Sequence, residues 1–177
     1  MTKSKSREDL KQFVRDVPGY PQAGIVFRDI TPLLGRKDLF AEAVDLMSRA
    51  WMDSPPDLVA AIEARGFIPG AAIAVKLGAG FVPIRKLGKL PWKTIEEAYQ
   101  LEYGADQLQV HSDAVQPGQR VLIVDDVLAT GGTAGAAVRL VRKLGGEVVG
   151  VQVLIELEAL GGRGRLGDVT VVSEIVY

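Results

Sequence analysis

Apolar residues follow two different spacings along this chain, and the change between them organises it. Near the start, Leu10, Phe13, Val14 and Val17 recur at helical intervals. They follow Ser6-Arg-Glu-Asp9, a capping-box-like sequence with Asp in the fourth place, so a short helix is expected from about residue 7. Pro18-Gly-Tyr-Pro21 ends it, and 24–34 reads as a loop with an apolar knot, Ile25-Val26-Phe27, and a charged pair, Arg28-Asp29. Leu39, Ala43, Met47 and Ala50 stripe a second helix over 38–52, stopped by Pro55-Pro56. From residue 57 onward, short continuous apolar runs replace the stripes. Residues 58–62, 81–84, 120–124, 147–157 and 169–176 read as buried strands, and 107–111 alternates as a half-exposed one. Helices are expected over 67–77 and 131–144, the latter ended by Gly145-Gly146. Strands alternating with helices imply an α/β fold with a mainly parallel central sheet flanked by helices. No repeat or low-complexity linker interrupts 1–177, which reads as one domain with residues 1–35 wrapping an edge. Residues 85–104 are polar, basic at their start, and read as a long loop of the kind that usually carries function.

Composition narrows the chemistry. A chain of 177 residues buries enough surface to fold without disulfides or a structural metal. With no Cys and a single His, disulfide frameworks, Cys-rich zinc sites and Cys nucleophiles are excluded. Glycine is high at 20 residues, which signals tight turns or backbone brought close to a ligand. The net charge of −1 gives no reason to expect nucleic acid, yet it is unevenly spread. Residues 63–93 hold Arg65, Lys76, Arg85, Lys86, Lys89 and Lys93 against Glu63 alone, a local +5 that leaves −6 elsewhere. The first residues lack the apolar core of a signal peptide, and no apolar stretch is long enough to cross a bilayer. A cytoplasmic protein that binds no membrane is expected.

The most informative segment is Val121-Leu-Ile-Val-Asp125-Asp126-Val-Leu-Ala129-Thr130-Gly131-Gly132-Thr133. An apolar strand ends in two carboxylates, and a glycine-rich turn then feeds a helix. Ligands of open α/β sheets sit beyond the carboxyl ends of strands. Small residues at a helix N-terminus expose amide groups and the positive end of the dipole, a cradle for phosphate. Two acids beside a phosphate cradle suit the hydroxyls of a ribose 5-phosphate, or a Mg²⁺ ion touching Asp125 or Asp126. The bland alternative is a capped helix with acids near its dipole.

This segment resembles the phosphoribosyl diphosphate signature of the type I phosphoribosyltransferases, and its Ala-Thr-Gly-Gly-Thr form resembles the adenine branch. The likeness extends through Val26-Phe-Arg-Asp-Ile-Thr-Pro32, Glu63-Ala-Arg-Gly-Phe67, Ile84-Arg-Lys-Leu-Gly-Lys-Leu-Pro91 and Leu101-Glu-Tyr-Gly104, covering nearly the whole chain. The resemblance implies the type I phosphoribosyltransferase fold with a small N-terminal hood and a lid over 85–104. It also implies attack of adenine on 5-phosphoribosyl 1-diphosphate, giving AMP and diphosphate in purine salvage, with Mg²⁺ as cofactor and a homodimer as the assembly. On this resemblance Asp125, Asp126, Ala129, Thr130, Gly131, Gly132 and Thr133 hold the phosphoribosyl group. Arg65, Arg85, Lys86 and Lys89 face the diphosphate. Val26, Phe27 and Arg28 hold the base, with Leu157 closing its other side. Glu102 handles the proton of adenine, and it acts with Arg65 and Lys89 as the catalytic set. Tyr103 lies beside Glu102 in the lid, whose closure would keep water from an oxocarbenium-like transition state. Ala129 stands where 6-oxopurine relatives carry an acid.

Two rivals remain at this level: a phosphoribosyltransferase for another purine base, and a regulator that senses phosphoribosyl diphosphate and binds nucleic acid. The second would carry an added DNA-binding segment or a basic RNA face, whereas the first 16 residues hold five bases and three acids. Gly162-Arg-Gly164-Arg-Leu-Gly167 spells G-x-G-x-x-G but precedes a strand, so it reads as a plain turn rather than a dinucleotide motif. His111, the only histidine, receives no role.

Overall fold

The computed structural model describes residues 7–100 and 105–177. Two compact units divide the chain, Met1–Leu46 and Met47–Tyr177.

In the first unit, helix α1 spans only Arg7–Lys11. The expected longer helix gives way to strand β1, Arg15–Pro18, which pairs antiparallel with β2, Val26–Asp29. Val17 therefore faces Phe27 across a ladder instead of extending a helical stripe, and the segment expected to be a loop holds a strand. The pairing draws on charge as well as backbone. Arg28 meets Asp16 directly across the ladder, and Arg15 lies 3.7 Å from Asp29. Asp29 then begins helix α2, Thr31–Leu34, accepting hydrogen bonds from the Thr31 amide at 2.9 Å and hydroxyl at 2.8 Å. Helix α3, Lys37–Arg49, buries Leu39, Ala43 and Met47, the expected stripe, and stops three residues early.

The second unit is a seven-stranded sheet in the order β5-β6-β4-β3-β7-β8-β9. Its parallel part comprises β3 (Leu58–Ile62), β4 (Gly80–Lys86), β7 (Arg120–Leu128), β8 (Glu147–Glu156) and β9 (Val171–Val176). Helices α4 (Phe67–Leu77) and α5 (Gly132–Lys143) make the β3–β4 and β7–β8 crossovers. The mainly parallel α/β architecture read from the pattern is the one found. Its core is built from the central strands, Ala60 and Ile62, Val121 and Ile123, Val151 and Val153, with Ala136, Ala137, Leu140 and Val141 of α5 packed on them.

One element departs from the lid expectation. Within 85–104, β5 (Thr94–Gln100) forms a strand paired antiparallel with β6 (Ala105–His111), which in turn pairs with β4 at Arg85 and Lys86. The described part of this segment thus holds the end of β4 and the whole of β5, with only 87–93 outside strands, rather than one open loop. Tyr99 is buried and Ile95 partly so, while Glu97 on the same face takes Arg139 and Lys143 of α5 as partners. An acid at an inward position hid the period-2 pattern of the strand.

Candidate active site

The sheet opens at the carboxyl end of β7. Strand β3 accompanies β7 only to the pairing of Ala61 with Val124, whereas β8 stays paired to Leu128 opposite Glu156. Asp125 and Asp126 therefore lie within a strand four residues longer than expected, past its last β3 partner. That is the crevice in which open α/β sheets bind ligands.

The turn from β3 to α4 reaches this crevice. Arg65 Nε lies 2.9 Å from Asp126 Oδ2, and the Asp126 side chain is 6% exposed. Asp125 Oδ1 accepts the Asp126 amide at 2.8 Å. Burial, and then the charge of Asp126, push the Asp125 carboxyl well above the usual carboxylate range. Burial also raises Asp126, with Arg65 opposing it. Two crowded carboxyl groups with one nearby guanidinium favour ligands that donate hydrogen bonds or bring positive charge. Gly66 has an ordinary φ of −62°, so conformational freedom does not explain it. Close approach does. A Cβ there would lie 2.6 Å from Ile62 O, 2.8 Å from Asp125 Oδ1 and 3.0 Å from Val124 O.

Three residues after Leu128 the chain turns at Gly131, whose φ of +80° favours glycine. Gly131 precedes α5 with no side chain capping the helix. The first amides of α5, at Gly132, Thr133 and Ala134, have no carbonyl one turn earlier in the helix to bond. Thr130 and Thr133 flank them, partly buried. Beside this turn is a cavity of about 320 Å³ lined by Tyr99, Gly131, Gly132, Gly135, Arg139 and Arg165, among others. Tyr99 Oη donates to Asp106 at 3.2 Å. Neither Tyr99 nor Arg165 was singled out from sequence; only their position across from α5 reveals them.

The cations of the +5 segment have partners of their own. Arg85 makes a two-pronged pair with Glu63 at 3.2 Å on each side and donates to Lys89 O at 3.0 Å. Burial alone would raise the Glu63 carboxyl, but the Lys86 amide and the Arg85 guanidinium outweigh it and hold it below its usual value. Lys86 Nζ lies 2.9 Å from Asp106, which raises the Lys86 pKa. Lys89 adds its charge near Glu63. An entering anion therefore has to exchange with carboxylates for Arg65, Arg85 and Lys86, a competition that composition does not reveal.

Leu157 follows β8, donates its amide to Leu128 O at 2.9 Å, and so stands at the same end of the sheet as the acid pair. Val26, Phe27 and Arg28 belong to the first unit, on β2, where Val26 is exposed and Phe27 meets Tyr20 edge-to-face at 5.2 Å. Glu102 and Tyr103 lie outside the described residues. Gly162, expected to be a plain turn glycine, packs against the cradle: a Cβ on it would lie 2.2 Å from Ala129 O and 2.9 Å from Gly131 N. The G-x-G-x-x-G run opens no α-helix and folds as a 3₁₀ turn, Arg163–Leu166.

Among the described residues, no group of three or more His, Cys, Asp or Glu is arranged to hold a metal ion, and no helix is long and apolar enough to cross a membrane. One or two carboxylates suffice for Mg²⁺ when substrate oxygens and water complete its shell. Asp125 fits that limited part: burial first and the Asp126 charge second disfavour its anion, a cost that a cation would offset, while Asp126 already faces Arg65.

Comparison with known proteins agrees with this geometry. The phosphoribosyl transferase domain family model matches residues 35–176. The chain is 62% identical to the adenine phosphoribosyltransferase of Thermotoga sp. (strain RQ2) over 169 residues, 96% of this chain and 99% of that one. Among solved structures, the adenine phosphoribosyltransferase of Rhodothermus marinus superimposes with a TM-score of 0.93 at 51% identity, covering 97% of this chain and 98% of the other. The Saccharomyces cerevisiae adenine phosphoribosyltransferase, complexed with adenine and D-2,5-dideoxy-2,5-imino-altritol 1,6-bisphosphate, gives 0.89 at 35% identity over 95% of this chain and 97% of that one.

Proposed function

The chain belongs to the phosphoribosyl transferase domain family, and from that premise we infer that it works as an adenine phosphoribosyltransferase in purine salvage. The observation that carries the reading is the meeting, at one end of one sheet, of an acid pair, a guanidinium and a glycine-formed helix start. Adenine and 5-phosphoribosyl 1-diphosphate become AMP and diphosphate. N9 of adenine bonds to the anomeric carbon, the carbon–oxygen bond to diphosphate breaks with its electron pair leaving on oxygen, and the N9 proton passes to a base. Glu102 is assigned as that base, with Tyr103 beside it.

Each group has a physical task. The turn 129–133 takes the 5′-phosphate on amides and threonine hydroxyls. Asp125 and Asp126 accept hydrogen bonds from the ribose hydroxyls and offset positive charge growing on the ring. Lys89 meets the departing diphosphate, and Arg65, Arg85 and Lys86 join by exchanging Asp126, Glu63 and Asp106 for phosphate oxygens. Val26, Phe27 and Arg28 are assigned to the base, as is Leu157. Mg²⁺ bound with the substrate supplies neutralising charge to the diphosphate, and Asp125 is the residue of this chain suited to hold it or its water. A cytoplasmic location is part of this proposal, since a polyanionic substrate does not cross a bilayer unaided and has to be used where it is made.

Steady-state turnover with adenine, hypoxanthine and guanine tests the assignment. Adenine alone should support release of diphosphate, because Ala129 offers no acid to a 6-oxopurine; activity confined to the oxopurines overturns it. In the same assay Glu102→Gln should lower the single-turnover rate by about 10²-fold while the KM for adenine stays within about threefold. An unchanged single-turnover rate removes Glu102 from proton transfer.

A homodimer is part of this proposal. Val75 is 84% exposed and Ile68, two turns earlier on the same side of α4, is also open. These exposed apolar side chains are the surface we assign to association. Sedimentation equilibrium should give twice the chain mass, and a monomer at micromolar concentration rules the dimer out.

A further inference from the structure

The turn that holds the phosphate end of the substrate is not self-supporting. Its back rests on a second glycine turn, residues 161–164, with backbone against backbone. A Cβ on Gly131 would lie 2.5 Å from Gly162 O, and one on Gly162 would lie 2.2 Å from Ala129 O. Neither position tolerates a side chain, so any shift of the second turn moves the first.

A polar bracket built on the buried Glu156 carboxylate, with a half-exposed Arg163 as its other arm, fixes the second turn. Arg163, next to Gly162, donates from Nε to Glu156 Oε1 at 2.9 Å and from Nη2 to Glu156 Oε2 at 2.5 Å. It also donates from Nη1 to Val171 O at 2.7 Å and from Nη2 to Ser173 Oγ at 3.2 Å. Ser173 in turn donates to Glu156 Oε2 at 2.6 Å. The Glu156 side chain is 6% exposed and sits at the last residue of β8, opposite Leu128 of β7. Arg163 therefore ties the turn to the ends of both β8 and β9. A carboxylate this buried is tolerated because a fork-shaped donor and a hydroxyl satisfy both its oxygens.

We propose that Glu156, Arg163 and Ser173 position the phosphate cradle through Gly162, making Arg163 a positioning residue for the phosphate end of the substrate. The proposal rests on the reading of 129–133 as the phosphate seat. Amides selective for a phosphate must stay fixed to fractions of an ångström, and a displacement near 1 Å costs about 10²-fold. A bracket that only held the sheet edge together would instead affect stability and both substrates alike.

The test uses ribose 5-phosphate binding by calorimetry, beside steady-state kinetics, on the full chain. Arg163→Met should weaken ribose 5-phosphate at least tenfold and raise the KM for phosphoribosyl diphosphate similarly, with the KM for adenine within twofold. Arg163→Lys, which keeps the charge but loses the fork, should fall between. Ser173→Ala removes one bracket hydroxyl while adding no atoms, and should reproduce the Arg163→Met pattern at smaller size, so the proposal stays testable if Arg163→Met folds poorly. Unchanged ribose 5-phosphate affinity in folded Arg163→Met or Ser173→Ala chains, or equal losses for both substrates, overturns the proposal. If the unaltered protein binds no ribose 5-phosphate, the phosphate seat itself is wrong, a separate result.

Discussion

Asp125→Asn should lower kcat by about 10²–10³-fold while leaving the melting temperature unchanged or raised. Most active-site substitutions that remove a buried group cost stability, so the opposite direction is diagnostic. The reason lies in the environment of Asp125. Burial and the neighbouring Asp126 raise its pKa well above the usual range. In the unfolded chain the same group titrates near the ordinary aspartate value of 3.8. Between that value and the raised native one, the native state binds more protons than the unfolded state. Stability then falls as pH rises through this interval, and above the raised pKa the cost is fully present. Asparagine keeps an oxygen for the Asp126 amide, 2.8 Å away in the native structure, and removes the charge. The stability advantage of the variant over the native chain should therefore grow as pH rises from about 4 through that interval. Thermal melts across pH, with kcat in parallel, read both arms. A melting temperature lowered at every pH would show that Asp125 supports the fold as an anion.

Asp126→Asn supplies the contrast. Its carboxyl also has a raised pKa, yet it lies 2.9 Å from Arg65 Nε, and that guanidinium opposes the rise. Removing it leaves Arg65 beside a neutral amide. Losing that pair offsets part of the relief from removing the charge, so Asp126→Asn should raise the melting temperature less than Asp125→Asn does at the same pH. Adjacent acids in one strand thus differ in what they do for the fold, although both serve the same ligand end.

The same contrast shows how much the sequence disclosed. The central strand, its acids and the glycine turn occur within one run of residues, so short-range pattern exposed them. So did the alternation of apolar runs with helices, because each strand of a parallel sheet is buried on both faces. Three kinds of information stayed hidden. Strand β5 escaped because Glu97 occupies an inward position, neutralised by Arg139 and Lys143 from an element some 40 residues later in the chain. The ion pairs of Arg85 with Glu63 and of Lys86 with Asp106 join residues about 20 apart, so composition counted cations without seeing their partners. Gly162 looked like any turn glycine because its constraint comes from the backbone of Ala129 and Gly131. What sequence hides, in each case, is the partner on the far side of a contact.

Gly66→Ala should lower kcat/KM by about 10²-fold and cost about 1–3 kcal/mol of stability. The substitution is mild by dihedral rules, since φ is −62°, and at the N-cap of α4 alanine is only somewhat poorer than glycine. Geometry predicts a larger loss, because the added methyl would meet Ile62 O at 2.6 Å and Asp125 Oδ1 at 2.8 Å. The contact decides, since two of the three nearest atoms are backbone oxygens of central strands β3 and β7, which do not yield cheaply. Relief comes by moving the 63–66 turn outward, which carries Arg65 away from Asp126 and spoils the site with every catalytic side chain present. The melting temperature should fall by between about 2 and 12 °C. Asp125→Ser combined with Gly66→Ala removes one of the three obstacles and should recover part of the stability and none of the activity. A Gly66→Ala chain as stable and active as its parent would mean that the turn slides freely, and the close approach of Gly66 to β7 would lose its place in the account of the site.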